Sequence, residues 1–236
     1  LQAQALETRR RVLGEESEET LRSLGASGDL LRAEGRLAEA EPILRDALER
    51  SRRALGAEHP FTLVSTNNLG YVLQLQGRND DAERLCREAF GKMRRVLGEG
   101  HRETLTTQGN LALALQALGR LEEAEAVYRD SLARHRRALG EEAPETVTVV
   151  NNLGNLLLAR GRFVEAEPIL REALEKFRRV LGEEHHDTIT AINNMGYVLQ
   201  YLGKLAEAEP FEREAVEKYR RAVGPDHPST LAAMNN

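Results

Sequence analysis

Tryptophan is absent and aromatic residues make up only 4% of the chain, so any core has to be built from Leu, Ala and Val. A single cysteine, Cys86, excludes an internal disulfide and a cysteine-based zinc site, and it agrees with a reducing, cytoplasmic setting. Proline numbers 7 and glycine 19, too little punctuation for a strand-rich fold. No apolar run approaches the ~18 residues of a membrane span, and the residues from Leu1 onward have no signal-peptide shape. No membrane contact is expected. Basic excess is missing too: the net charge of -5 argues against a nucleic-acid partner, whose binding rests on phosphate neutralisation. The chain has no initiator Met and stops on Asn235-Asn236, and it is expected to be a segment of a longer protein.

What is present is a repeat. The 236 residues are 41% apolar and 30% charged, enough to bury a core, and they carry a register of 42. Gly14, Gly56, Gly98, Gly140, Gly182 and Gly224 are spaced by 42, and so are Thr20, Thr62, Thr104, Thr146, Thr188 and Thr230. Gly35, Gly77, Gly119, Gly161 and Gly203 keep the same interval without insertion or deletion. Each unit reads as two amphipathic helices. Helix A runs over about Phe61 to Gln76, with Leu63, Thr66, Leu69, Gly70 and Leu73 on one face. Gly77-Arg78-Asn79 breaks the pattern, and helix B carries the stripe Ala82, Leu85, Cys86, Ala89, Phe90, Met93, Val96 and Leu97 up to Gly98. Pro42, Pro168 and Pro210 fall about six residues into helix B, which calls for a later helix start or a kinked first turn there.

The spacing of small residues from Gly70 to Ala82 to Ala89, with the Gly-Arg turn between, resembles the tetratricopeptide repeat, lengthened in helix B and its exit loop. The strings Arg52-Arg53-Ala54-Leu55-Gly56, His59-Pro60-Phe61-Thr62-Leu63 and Asn67-Asn68-Leu69-Gly70 are similar to the kinesin-light-chain type of this repeat, found also in many bacterial proteins. The resemblance spans the chain. It implies an all-α, right-handed α-solenoid of antiparallel helix pairs, with helix A lining a concave face. Residues 1–236 are then one repeat domain: a partial preceding helix B (1–13), full repeats 18–59, 60–101, 102–143, 144–185 and 186–227, and the start of a sixth at 228–236. Neither end reads as a polar cap, and exposed apolar surface is expected at both.

Helix A carries a row of amides, Asn68, Asn110, Asn152, Asn194 and Asn236, flanked by Asn67, Asn151, Asn193 and Asn235, with Asn155 one turn on. Asparagine is a poor helix former, so its repeated use inside a helix needs a reason. A side-chain amide both donates and accepts, and in the resembling families Asn at this place grips the backbone of an extended ligand. The competing reading is that one Asn of each pair ties helix A to the neighbouring repeat. Tyr71, Tyr197 and Tyr201 lie on or near the same face, as anchors for an apolar side chain or as groove-wall packing. The first repeat departs: Gly25 and Ala26 replace the pair, and Asp29 stands where Tyr71 does later. Gly109 breaks the pair in the third. The strongest surface is therefore expected in repeats two to five. The row is nearly uncharged, unlike the Lys/Arg clamp for a terminal carboxylate in some members of the superfamily.

His59, His101, His185 and His227 share one register but stand a repeat apart, too far for one metal ion, and helix-start packing accounts for them better. Arg pairs at 10–11, 52–53, 94–95, 136–137, 178–179 and 220–221 read as helix-dipole complements on the outer face rather than a phosphate site. Glu212 is out of character in a slot that holds Leu44, Cys86, Tyr128 and Leu170 elsewhere. No nucleophile–base–orienter set, phosphate loop or H-E-x-x-H is present, so no enzyme activity, catalytic residue, metal or cofactor is expected. The expectation is a scaffold holding an extended or short helical peptide in the concave groove. Two alternatives stand beside it: a sensor or autoinhibitory arm of a larger signalling NTPase or protease, and a solenoid that self-associates end to end through uncapped terminal helices.

Overall fold

The computed structural model describes residues 2–235, which form twelve α-helices and no strand. After α1 (Gln2–Leu13), helices of the A kind are α2 (Glu18–Ala33), α4 (Pro60–Leu75), α6 (Arg102–Ala117), α8 (Pro144–Ala159), α10 (His186–Tyr201) and α12 (Pro228–Met234). Those of the B kind are α3 (Leu37–Ala54), α5 (Asn79–Val96), α7 (Leu121–Leu139), α9 (Phe163–Leu181) and α11 (Leu205–Val223). Helix A starts at residues 18, 60, 102, 144, 186 and 228, so the 42-residue register is kept throughout. The chain divides into two compact units, Leu1–Val127 and Tyr128–Asn236. In the first unit α2 packs on α1 and α3, α4 on α3 and α5, and α6 on α5; in the second α8 packs on α9, and α10 on α9 and α11. Successive A helices touch: α2 with α4 and α4 with α6 in the first unit, α8 with α10 in the second.

The turns explain the glycine registers. Gly77 adopts φ 79° after α4; its N–H donates to Gln74 O at 3.0 Å and the Arg78 N–H to Leu73 O at 2.9 Å, the paired bonds that close a helix on a left-handed residue. The helix starts explain the histidines. In His59, His101, His185 and His227 the Nδ1 atom accepts the backbone N–H two residues on, at 3.2 to 3.3 Å, so each is an N-cap. Buried threonines at the third position of helix A clasp the preceding turn: Thr146 Oγ1 donates to Gly140 O at 2.8 Å, and Thr188 and Thr230 repeat the contact with Gly182 and Gly224.

The prolines do not delay helix B. Pro42, Pro168 and Pro210 sit inside α3, α9 and α11 as the sixth helical residue. Each leaves the carbonyl four residues earlier without its helical donor. Those residues, Ala38, Val164 and Ala206, are exposed, so water can take the place of the missing N–H.

Close approach of the two helices in a pair depends on small residues. A Cβ on Gly154 would lie 2.6 Å from Leu170 Cδ2, and one on Gly28 equally close to Leu44. In the first unit Leu44, Leu48, Leu69, Val72, Leu73 and Leu85 share one core with Ala40 and Ala82. In the second, Leu170, Phe177, Ile189, Ile192 and Leu199 are all within 1% of full burial. The expectation of a core made without many aromatics holds.

Six of the outer arginines, Arg52, Arg53, Arg95, Arg136, Arg178 and Arg179, are held in cross-repeat ion pairs. Arg52, Arg136 and Arg178 reach Glu88, Glu172 and Glu214 on the next helix B at 3.3, 3.3 and 2.9 Å. Arg53 and Arg95 reach back to loop residues Glu16 and Glu58 at 2.8 and 2.9 Å, and Arg179 pairs with Glu142. At the A-to-B turns, Arg78–Glu41, Arg120–Glu83 and Lys204–Glu167 stand 2.8, 3.3 and 2.7 Å apart. Exposed pairs of this kind add little each, but together they neutralise the ridge.

Candidate functional site

The helix-A side chains come from every third or fourth residue of α2, α4 and α6 in the first unit and of α8 and α10 in the second. In the first unit Asn68 Nδ2 donates to Asp29 Oδ2 at 2.9 Å, Asn67 Nδ2 to Asn68 Oδ1 at 3.4 Å, and Asn110 Nδ2 to Asn67 Oδ1 at 3.0 Å. In the second unit Asn194 Nδ2 donates to Asn155 Oδ1 at 2.7 Å. A rule emerges. The second-row amide of one repeat donates to the residue one turn further along helix A of the preceding repeat when that residue can accept, as Asp29 and Asn155 can. Where that residue is Tyr71, Asn110 turns to Asn67 instead.

Both readings of the amide row thus have a physical basis. The ladder ties neighbouring repeats, yet each amide has two donor hydrogens and two acceptor lone pairs. Asn68, Asn110 and Asn194 are half-buried and keep capacity toward solvent, as the half-buried Asn152, Asn155 and Asn193 do by their exposure. Asn67 and Asn151 are buried, at 2% and 8% exposure, and Asn151 Oδ1 has no hydrogen-bond partner. Asn235 is exposed at the end of α12, and Asn236 lies outside the described residues.

The tyrosines divide. Tyr71 is half-buried under the Arg32 guanidinium, which stands 5.3 Å from its ring centroid. Tyr197 and Tyr201 are 4.6 Å apart, and contact with Tyr201 holds the Tyr197 phenol above its ordinary pKa. Tyr201, 54% exposed, also stacks on Phe163 at 4.6 Å and 23°. Phe163 escapes sequence reading because it opens helix B, where Leu37, Asn79, Leu121 and Leu205 occupy its register and none repeats an aromatic.

The first repeat differs from what its sequence suggests. A recess of about 350 Å³ opens between α2, α4 and the start of α6, lined by Arg22, Gly25, Asp29, Phe61, Asn68 and Glu103 among others. Small side chains make the space: the Phe61 ring passes 3.4 Å from where a Cβ on Gly25 would be. The Arg22 guanidinium lies 5.3 Å from the Phe61 centroid and is paired with Glu18 at 2.6 Å. Asp29 Oδ1 faces Arg32 Nε at 3.7 Å. Burial pushes the Asp29 carboxyl above the usual carboxylate range, with the Glu103 charge adding to it and Arg32 and Asn68 opposing it. The face is therefore charged here, where the amide row alone reads as nearly neutral.

Elsewhere the geometry is inert. Cys86 is buried beneath Gly70, and burial pushes its thiol up to about 12. Among the described residues no group of three or more His, Cys, Asp or Glu is placed to hold a metal ion, and no helix is long and apolar enough to cross a membrane.

The sequence profile described as tetratricopeptide repeat matches residues 1–53, 25–89, 61–137, 103–176 and 145–221. A search of curated protein sequences returned no match. Among solved structures, BtubC (BKLC) from P. vanneervenii is similar with a TM-score of 0.76 at 23% identity, over 96% of this chain and 91% of that one. The nearly identical TPR-like repeats of a putative kinesin light chain from Podosopora anserina give 0.70 at 23%, over 86% and 96%. The apo quorum sensor NprR from B. thuringiensis gives 0.77 at 15%, over 98% and 63%. At these identities the likeness is one of fold. The chain belongs to the tetratricopeptide repeat family, and its fold is like that of the solved kinesin-light-chain repeats.

Proposed function

We propose that the chain is a protein-interaction scaffold that holds an extended or short helical peptide against the helix-A face of its units. The observation that carries this reading is the amide ladder. Asn68 and Asn194 are fixed by bonds to Asp29 and Asn155 yet remain half-exposed, so their unused donors and acceptors are pre-oriented for a peptide backbone. Asn110, Asn152, Asn155 and Asn193 extend the row, Asn67 and Asn151 support it from beneath, and Tyr71, Tyr197 and Tyr201 offer ring faces beside it. Support also comes from relatives in fold. A Rap conjugation gene regulator of plasmid pLS20 is solved with the Phr* peptide, and NprR with its cognate peptide NprX. The chain covers 64% of the latter, which favours a second reading as the peptide-sensing arm of a larger protein.

The test is a pull-down from a peptide library with Asn68, Asn152 and Asn194 changed to Ala. Loss of retained peptides supports an amide grip, and undiminished retention removes it. Affinity compared at low and high salt is a second reading of the same point, since neutral amides are only weakly screened.

A further inference from the structure

The recess of the first repeat is built by four departures from the repeat pattern at once. Gly25, Ala26 and Asp29 stand where the second repeat has Asn67, Asn68 and Tyr71, and a fourth, Arg22, stands where it has Val64. Losing two amides and a phenol opens about 350 Å³ beside the Phe61 ring, and the same change plants a carboxylate in it. A second carboxylate, Glu103 from the start of α6, lines the same space. The charges do not balance. Arg22 is engaged with Glu18 at 2.6 Å, and Arg32 is shared between Asp29 and the face of Tyr71. No cation among the described residues is within ion-pairing distance of the Glu103 carboxylate.

We propose that this recess receives a primary ammonium group carried on a short apolar stem, the amino terminus or a lysine side chain of a bound peptide, between Asp29 Oδ1 and Glu103 with the Phe61 ring as its wall. The inference rests on the peptide-scaffold reading and deepens it. An ammonium suits the site better than a guanidinium. Asn68 already occupies Asp29 Oδ2 at 2.9 Å, so a planar fork cannot take both oxygens of that carboxylate. A compact point charge can take one oxygen from each of two carboxylates on different helices. Phe61, packed against Gly25 and flanked by the Arg22 guanidinium, is 8% exposed and lines the recess as apolar surface for the stem.

The experiment uses three probes and follows the Asn68 side-chain amide signals in ¹⁵N–¹H NMR spectra of the whole chain: Ala-Val N-methylamide with a free amino terminus, its N-acetylated form, and Nα-acetyl-lysine N-methylamide. Saturable shifts with at least one ammonium probe, none with the acetylated dipeptide, and about tenfold weaker binding to Asp29→Asn and Glu103→Gln are expected. Which ammonium probe saturates identifies terminus or lysine as the source. Asp29→Asn keeps an oxygen for Asn68, and an unchanged urea midpoint shows that the variant is folded. Equal shifts with the acetylated dipeptide, no shift with either ammonium probe, or indifference to both substitutions would overturn the proposal. Library peptides that are retained while Asn68 ignores both ammonium probes would sink this inference and leave the scaffold reading. Saturation of Asn68 by an ammonium probe with no library peptide retained would keep the recess and remove the scaffold reading.

Discussion

Gly154 on α8 faces Leu170 on α9 so closely that a single added methyl would stand 2.6 Å from Leu170 Cδ2 and 2.7 Å from its Cγ. Leu170 is fully buried and cannot yield. Gly154→Ala is expected to destabilise the chain by about 1–3 kcal/mol, through overpacking that outweighs alanine's better helix propensity. Gly91, in mid-α5 with nothing within 4 Å of its added Cβ, supplies the opposite sign: Gly91→Ala should stabilise by about 0.5–1 kcal/mol. Urea midpoints of the two variants should move in opposite directions. Movement in the same direction would remove close helix approach as the reason for glycine at 154.

Glu212 occupies the slot that holds Leu44 and Leu170 in other repeats. Its stem lies under Gly196, its Oε1 is buried without a hydrogen-bond partner, and it lines a recess of about 510 Å³ with Arg213 and Arg220. Glu212→Leu restores the pairing seen between Gly154 and Leu170. A gain of about 1 kcal/mol in unfolding free energy is expected, the cost of an unsatisfied buried oxygen. A loss in the urea midpoint would mean that the carboxylate has a partner in solution.

His135 is buried, with Nδ1 2.8 Å from Ser131 O and 3.2 Å from Ser131 Oγ. Burial holds its pKa below 6.5, while the Ser131 carbonyl and Glu145 oppose the shift. The unfolded chain therefore binds the proton more readily than the folded one. Stability is fully present above 6.5 and is lost as pH falls below it. Met93 holds the same register, so His135→Met keeps the packing. Its stability should fall less steeply than that of the unaltered chain between pH 7 and pH 5, and equal slopes would count against this assignment.

Cys86 should be silent toward a thiol reagent in the folded chain at mildly alkaline pH, because burial first and the Glu83 charge second keep it protonated. One thiol per chain should appear in denaturant. Stoichiometric labelling of the native protein within minutes would contradict the burial of this side chain.

The register was fully legible in the sequence, because identical residues at one interval leave the helices no freedom of phase, and every helix A begins where the interval requires. The outer arginines were legible as structural but not as cross-repeat links, since their glutamate partners are some 36 or 37 residues away and belong to no local pattern. The histidines read as helix-start residues; their capping role needed the position of Nδ1. The recess of the first repeat was hidden for a different reason. A search for repeated amides treats Gly25 and Ala26 as a gap in the row, whereas a cavity is made by what a position omits. In the sequence Asp29 is only a departure from the repeat; its bond to Asn68 makes it the first rung of the ladder.

The cross-repeat contacts have a consequence for how such a gene can change. Arg52–Glu88, Arg136–Glu172 and Arg178–Glu214 join residues separated by the same 36 positions, and Arg78–Glu41, Arg120–Glu83 and Lys204–Glu167 by the same 37. Each of these junctions is thus a standard coupling, indifferent to which copy of the unit stands on either side. Unequal recombination that removes or duplicates the codons of one whole unit rejoins matching halves of that coupling. Such an event alters the length of the helix-A amide row while leaving each new joint as sound as the old, so the number of units is a trait that selection can adjust without first repairing the fold.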